Sequence, residues 1–160
     1  MTRQPYALLA VLLTLTASAV GAARPDVPFH ASIDTRPMIT GSCGPGCIAL
    51  DIPGAGIATH LGTLTLAGPS EVNLFASTQT TTGTLTAANG DTLVLDFEGT
   101  VQFSGPNPSD PVTFTGTWTV QSGSGRFRRA SGSGSYSGNA AGPSGELNLT
   151  GSLSNIGGQR

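Results

Sequence analysis

At 160 residues the chain is long enough for one domain and short for two. Seven Lys and Arg against nine Asp and Glu give a net charge of −2, and charged residues make up only 10% of the chain. That balance argues against a nucleic-acid or anionic-membrane binder, which would carry a basic excess, and against a disordered tail, which would be rich in charge.

The chain begins with Arg3, an apolar run from Ala7 to Val20, and the small residues Gly21-Ala22-Ala23 before Arg24-Pro25. A basic start, an apolar middle and a small-residue cut site are the parts of a secretory signal peptide, so residues 1–23 read as a leader cleaved after Ala22 or Ala23. The apolar run is 14 residues long and is interrupted by Thr14 and Thr16. A spanning helix needs ~20, so no membrane span is expected in the mature form. Behind the leader stand six arginines, no lysine and nine acidic residues. The mature protein is expected to be soluble and secreted, extracellular or periplasmic.

Residues 24–57 show weak alternation in "FHASID" and a Gly/Pro-rich stretch "GSCGPGC". One short strand and otherwise coil is expected there. In an oxidising compartment Cys43 and Cys47 read as a disulfide closing a small loop. Closure of so short a loop contributes ~2 kcal/mol in the chain-entropy model. A zinc site joining the pair to His30 and His60 is the sharper reading, but C-x3-C without a second close pair does not recommend it. No metal and no cofactor is expected.

From residue 58 a tetrad recurs: Gly, Thr or Ser, a large apolar residue (once Val), then Thr, Ser or Gln. It starts at Gly62, Gly83, Gly99, Gly116, Gly134 and Gly151, at intervals of 16 to 21 residues. That spacing suits a strand and its connection. Each tetrad lies inside a period-2 pattern. "DTLVLDFEGTVQFSG" sets Leu93, Leu95, Phe97, Val101 and Phe103 against Thr92, Asp96, Glu98, Thr100 and Gln102. "PVTFTGTWTVQ" and "GELNLTGSLS" alternate in the same way, which is the pattern of strands with one buried face.

In each tetrad the glycine is placed on the apolar face by parity, two residues before a large side chain. Glycine there suits a small closed barrel, in which strands coil and a neighbour's bulky side chain needs room. Turn signals separate the strands, Asn89-Gly90 being the strongest for a tight hairpin. The fold class is therefore all-β: an antiparallel, closed up-and-down barrel of about eight strands over residues 58–156, with a tail at 157–160. A membrane barrel would turn its apolar face outward. Here the other face carries Asp96, Glu98, Gln102 and rows of Thr.

Three groups of residues are candidates for chemistry. His60 sits at the start of the first repeat strand, where parity puts it on the inner face near a barrel mouth; it would bind a ligand or move a proton, or else brace the barrel end by a backbone hydrogen bond. Asp96 and Glu98 point the same way, about 7 Å apart, as an acid/base pair would, but parity puts them on the solvated outer face. Arg126, Arg128 and Arg129 surround Phe127 in "SGSGRFRRASG"; they form a rim for an anion, or the wet edge of a corner that Phe127 anchors. Nucleic acid is not an expected partner. Nucleophile elbows, phosphate loops and H-E-x-x-H are absent from the sequence.

"ATHLGTLTL", "LTAANGDTL", "FTGTWTVQSGSGRFRRASGSGSYSG" and "LTGSLS" together resemble the bacterial secreted proteins related to the allene oxide cyclase and dirigent β-barrels. The likeness covers residues 55–156. Its most specific part is a G-G-T-G-R-F-x-x-A-x-G block, met here by Ser122 to Gly132 with Ser122 in place of the first Gly and Ser124 in place of Thr. The resemblance implies an eight-stranded calycin-like barrel. It does not imply the cyclase reaction, because a fold does not carry a function with it.

Two functions follow as expectations. The first is a non-enzymatic barrel that binds a small apolar or amphipathic ligand or serves as a surface or interaction module, as a monomer or a homo-oligomer. The second is an isomerase or cyclase that folds a flexible apolar substrate, with His60, Trp118 and Tyr136 lining the barrel. An open cavity touching His60 would serve either; a filled interior would leave the interaction module.

Overall fold

A computed structural model describes residues 26–106 and 110–157. The leader expected at 1–23 lies outside the described residues. The chain runs as a meander of β1 (Val27–Thr35), β2 (Met38–Gly44), β3 (Cys47–Asp51), β4 (Gly54–Ala58), β5 (Gly62–Ala67), β6 (Pro69–Asn73), β7 (Thr78–Ala87), β8 (Thr92–Phe103), β9 (Val112–Gly123), β10 (Ser131–Ala141) and β11 (Ser144–Ser154). A single 3₁₀ turn, Gly125–Phe127, joins β9 to β10.

Eight of the strands close a barrel, all pairs antiparallel. The order is β1-β4-β5-β7-β8-β9-β10-β11, and β11 returns to β1. Strands β2, β3 and β6 lie outside it as a three-stranded flap, with β6 paired to the first half of β7. The flap is a continuation of the wall. β5 and β6 share one register on β7, Leu64 facing Ala87 and Asn73 facing Thr78. β4 and β3 likewise share one register on β5 and β6, Gly54 facing Leu66 and Cys47 facing Asn73. Three long strands thus outrun the rest of the barrel.

Their passage across the rim is marked by residues that cannot keep the ladder. Pro37 and Pro53 lack the N–H that a central strand needs. Single bonds bridge the gap: Arg36 N donates to Pro53 O at 2.8 Å and Ile52 N donates to Gly68 O at 3.0 Å. Gly68 packs its backbone against the Thr82 carbonyl so closely that a β-carbon would collide with it.

The barrel therefore begins at Val27. Residues 24–57, expected to hold one short strand and otherwise coil, supply β1, β2, β3 and all but the last residue of β4. β1 alternates cleanly, burying Phe29, Ala31, Ile33 and Thr35, and is hydrogen-bonded on both edges. Its inner positions mix small and polar residues with two large ones, so the apolar period is faint in sequence while the pairing is complete in structure.

The repeat glycines make room for aromatic rings. Gly134 and Gly151 face each other across β10 and β11. A β-carbon on either would stand within 2.7 Å of Trp118 Cζ2. Gly99 and Gly116 face each other across β8 and β9 and receive the ring of Tyr136 in the same way. Gly62 is the exception to the inner-face expectation. It is exposed, with open space around its α-carbon and a φ of 69° that serves the turn before β5.

Candidate ligand cavity at the barrel mouth

The two ends of the barrel differ. One carries the turns between β4 and β5, β7 and β8, and β9 and β10, and is filled by Leu61, Leu93, Phe127 and Leu153, each at most 4% exposed. At the other end the flap extends past the mouth and borders an open cavity of about 550 Å3. Ile39, Ile48, Leu50 and Val72 of the flap form one side of it. Leu66, Phe97, Val101, Phe114 and Leu147 of the barrel form the other, and Tyr136 closes the floor. Below that floor lies the packed layer of Trp118 and Phe29, whose rings meet edge to face at 5.3 Å.

Besides the Thr35 hydroxyl, two polar features interrupt this apolar lining. The first is Tyr136, 4% exposed, with Phe97 edge-on at 5.4 Å and Phe114 tilted at 6.4 Å. Its hydroxyl is buried and has no hydrogen-bond partner among the described residues. Burial pushes its pKa up to about 12, so the phenol is a neutral donor at physiological pH. An unpartnered buried hydroxyl costs free energy unless a ligand or water satisfies it.

The second is a hydroxyl and amide cluster on β6 and β7. Thr81 Oγ1 donates to Ser70 Oγ at 2.6 Å, and Ser70 Oγ donates onward to the Thr80 carbonyl at 3.3 Å. Gln79 Nε2 donates to Ser70 Oγ at 3.2 Å and to Thr81 Oγ1 at 3.1 Å. Gln79 and Thr81 line the cavity; Ser70, 2% exposed, stands behind them.

Of the three residues expected to line a ligand site together, the structure brings only Tyr136 to the cavity. His60 lies at the opposite end, in the turn between β4 and β5, half-buried and with φ at 67°. Its Nε2 is 3.0 Å from the Pro28 carbonyl. Parity from β5 therefore does not reach it, because the strand starts at Gly62. Trp118 is fully buried in the core, and its Nε1 donates to the carbonyls of Ser135 at 3.1 Å and Thr150 at 3.2 Å.

The arginine block also sits at the filled end. Phe127 is fully buried, Arg126 stacks over its ring at 5.1 Å, and Arg126 Nε is 3.6 Å from Asp91. Arg128 and Arg129 are exposed. Asp96 and Glu98 lie on the outer face, where Thr82 Oγ1 donates to Asp96 at 2.8 Å. Cys43 and Cys47 form a disulfide at the tip of the flap, far along the chain's ladder from the His60 turn. A Glu71 carboxylate oxygen lies within 4.8 Å of both sulfurs, but a disulfide offers no thiolate to a metal.

Gln79 and Thr81 were legible by parity alone, since they share the inner face of β7 with Leu85 and Ala87. Their signal was masked by the run of threonines around them. No family model matches this chain, and no curated protein matches it, so the fold and the cavity carry the functional argument by themselves.

Proposed function

We propose that the protein is a secreted binder of a small apolar or amphipathic ligand, held in the cavity between the flap and the barrel mouth. The observation that carries this reading is the cavity itself: about 550 Å3, walled by aliphatic and aromatic side chains with a few placed polar groups. Pockets that take small ligands have this size and composition. Secretion is supported by the leader-like start of the sequence and by the Cys43–Cys47 disulfide, which needs an oxidising compartment.

Kinship with the allene oxide cyclase and dirigent barrels is part of the same proposal. The eight-stranded antiparallel barrel supports it, and so does the "SGSGRFRRASG" corner seated on buried Phe127. Binding is favoured over an isomerase reaction by the lining. Among the described residues that wall the cavity the one titratable side chain is Tyr136, and it is held protonated. Such a group donates a hydrogen bond at neutral pH and does not serve as a base.

The test is native mass spectrometry of protein purified from its own host, paired with titration of the recombinant protein by the neutral fluorescent probe N-phenyl-1-naphthylamine. A co-purified apolar molecule, and probe capture that is lost when Val101→Phe narrows the cavity, are the results expected. A folded protein that captures neither overturns the reading.

A further inference from the structure

Two polar side chains of the cavity are placed around one residue of its wall, Gly99. Gln79 on β7 faces Gly99 on β8 in the barrel register, and both are inner-face positions. Gly99 is also where the Tyr136 hydroxyl rests: a β-carbon on Gly99 would stand 2.5 Å from Tyr136 Oη. Phe97 and Val101, the inner-face neighbours of Gly99 on β8, both line the cavity. A phenol from β10 and a glutamine from β7 thus border the same stretch of β8, in a wall whose other polar side chains are Thr35 and Thr81.

Donor and acceptor accounting gives that stretch a polarity. Both hydrogens of Gln79 Nε2 are directed to Ser70 and Thr81. Ser70 and Thr81 in turn spend their own hydrogens on the Thr80 carbonyl and on Ser70. The cluster is closed as a donor, which leaves the Gln79 amide oxygen as an acceptor. The Tyr136 hydroxyl, resting over the Gly99 that pairs with Gln79, is a donor with no partner among the described residues. Among the described residues, the lining holds no Asp, Glu, Lys, Arg or His to balance a charge.

We infer that Tyr136 and Gln79 form a recognition point for a single hydroxyl group, so that the ligand is an uncharged apolar alcohol whose O–H donates to Gln79 and accepts from Tyr136. A ketone or ester answers only the tyrosine. A hydrocarbon answers neither and leaves both groups unpaired. A carboxylate meets the amide oxygen as a second acceptor and would lose its hydration in an uncharged cavity. The inference rests on the cavity reading above and sharpens its ligand class.

The experiment displaces N-phenyl-1-naphthylamine from the full mature chain with four compounds of equal length: undecane, 2-undecanone, 2-undecanol and undecanoate. The alcohol should bind about tenfold more tightly than the alkane, with the ketone between them, as expected for one or two net hydrogen bonds in an apolar site. Tyr136→Phe should bring ketone and alkane together. Gln79→Met should lower the alcohol to the level of the ketone and leave ketone and alkane apart. The tyrosine ring signals, read by 13C-tyrosine NMR, give a second measure, since Tyr136 is the single tyrosine outside the leader; 2-undecanol should shift them and undecane should not.

Equal affinity for alkane, ketone and alcohol overturns the hydroxyl point while leaving the cavity reading intact. So does tightest binding of undecanoate, or an order unchanged in Tyr136→Phe. Failure of the probe and all four compounds to bind a folded protein overturns the cavity reading itself.

Discussion

The hydroxyl of Tyr136 takes up the space over Gly99 that a β-carbon would fill, 2.5 Å from that carbon's position. The ring reaches it by crossing Gly116, which pairs with Gly99 on one side and with Tyr136 on the other. Glycines in neighbouring strands have opened a slot, and an aromatic residue one strand further along has filled it. The same device seats Trp118 over Gly134 and Gly151.

Burial of this phenol makes stability depend on alkaline pH. The folded protein holds the Tyr136 proton to about pH 12, against 10.0 for a free tyrosine. Between those values the unfolded chain has lost the proton and the folded one has kept it. The unfolded state then binds fewer protons, so stability falls as pH rises. Below pH 10 the group contributes no slope. Across the window the loss approaches 2 to 3 kcal/mol, on the order expected for a two-unit shift. Urea unfolding followed by Trp118 fluorescence between pH 9 and 12 should show this decline, and Tyr136→Phe should flatten it. An equal decline in the variant would place the alkaline sensitivity elsewhere.

The glycine slots predict a steep contrast between positions of the same residue type. Gly151→Ala would set a methyl group 2.6 Å from Trp118 Cζ2 and against the Ser133 carbonyl. Overpacking of this kind should cost about 3 kcal/mol. Gly41→Ala lies on exposed β2 with nothing within 4 Å, and should change stability by no more than ~0.5 kcal/mol. Urea midpoints of the two variants make the comparison, and similar losses in both would contradict the packing account.

Much of the barrel was legible because its later strands bury one face against a core. Leu93, Leu95, Phe97, Val101 and Trp118 are all buried, as their odd and even positions required. The earlier strands were not, for two physical reasons. β1 closes the barrel with Ala31 and Thr35 among its inner residues, which carry little hydrophobic signal. β2 is exposed along its whole length and so has no alternation to read. The cavity was hidden for a related reason. A void forms where three strands outrun the core that fills the other end, and no motif encodes the point at which packing stops. The residues most conspicuous in sequence, His60 and Arg126, Arg128 and Arg129, gather instead at the filled end, where the turns demand special backbone geometry and a capping ring.

His60 illustrates that backbone demand and can be tested for it. Its φ of 67° is a conformation that costs a non-glycine residue about 1 to 2 kcal/mol, partly offset here by the bond from the ring to Pro28. His60→Gly removes the strain together with the bond and should be close to neutral. His60→Ala keeps the strain and loses the bond, and should be less stable than the glycine variant by about 1 kcal/mol. Neither should alter capture of N-phenyl-1-naphthylamine, because the cavity lies at the other end of the barrel. Loss of capture in a folded His60→Ala protein would join His60 to the ligand site and overturn this placement.

The disulfide should govern the flap and not the barrel. Cys43 and Cys47 close a short loop at the flap tip, for which the chain-entropy model gives about 2 kcal/mol. The residues that hold the barrel shut, from Phe29 to Leu153, belong to a core that includes none of the flap strands' residues. In the Cys43→Ser/Cys47→Ser double variant, amide exchange across β2 and β3 should quicken by up to about thirtyfold, the equivalent of that free energy. Amides of β8 and β9 should keep their protection, and the urea midpoint reported by Trp118 should hold. Probe capture should weaken, because Ile39, Ile48 and Leu50 reach the cavity from the strands that the disulfide ties together. A midpoint that falls in step with the flap amides would make flap and barrel one cooperative unit, and the flap would then be part of the barrel's stability instead of a separately tuned wall of its cavity.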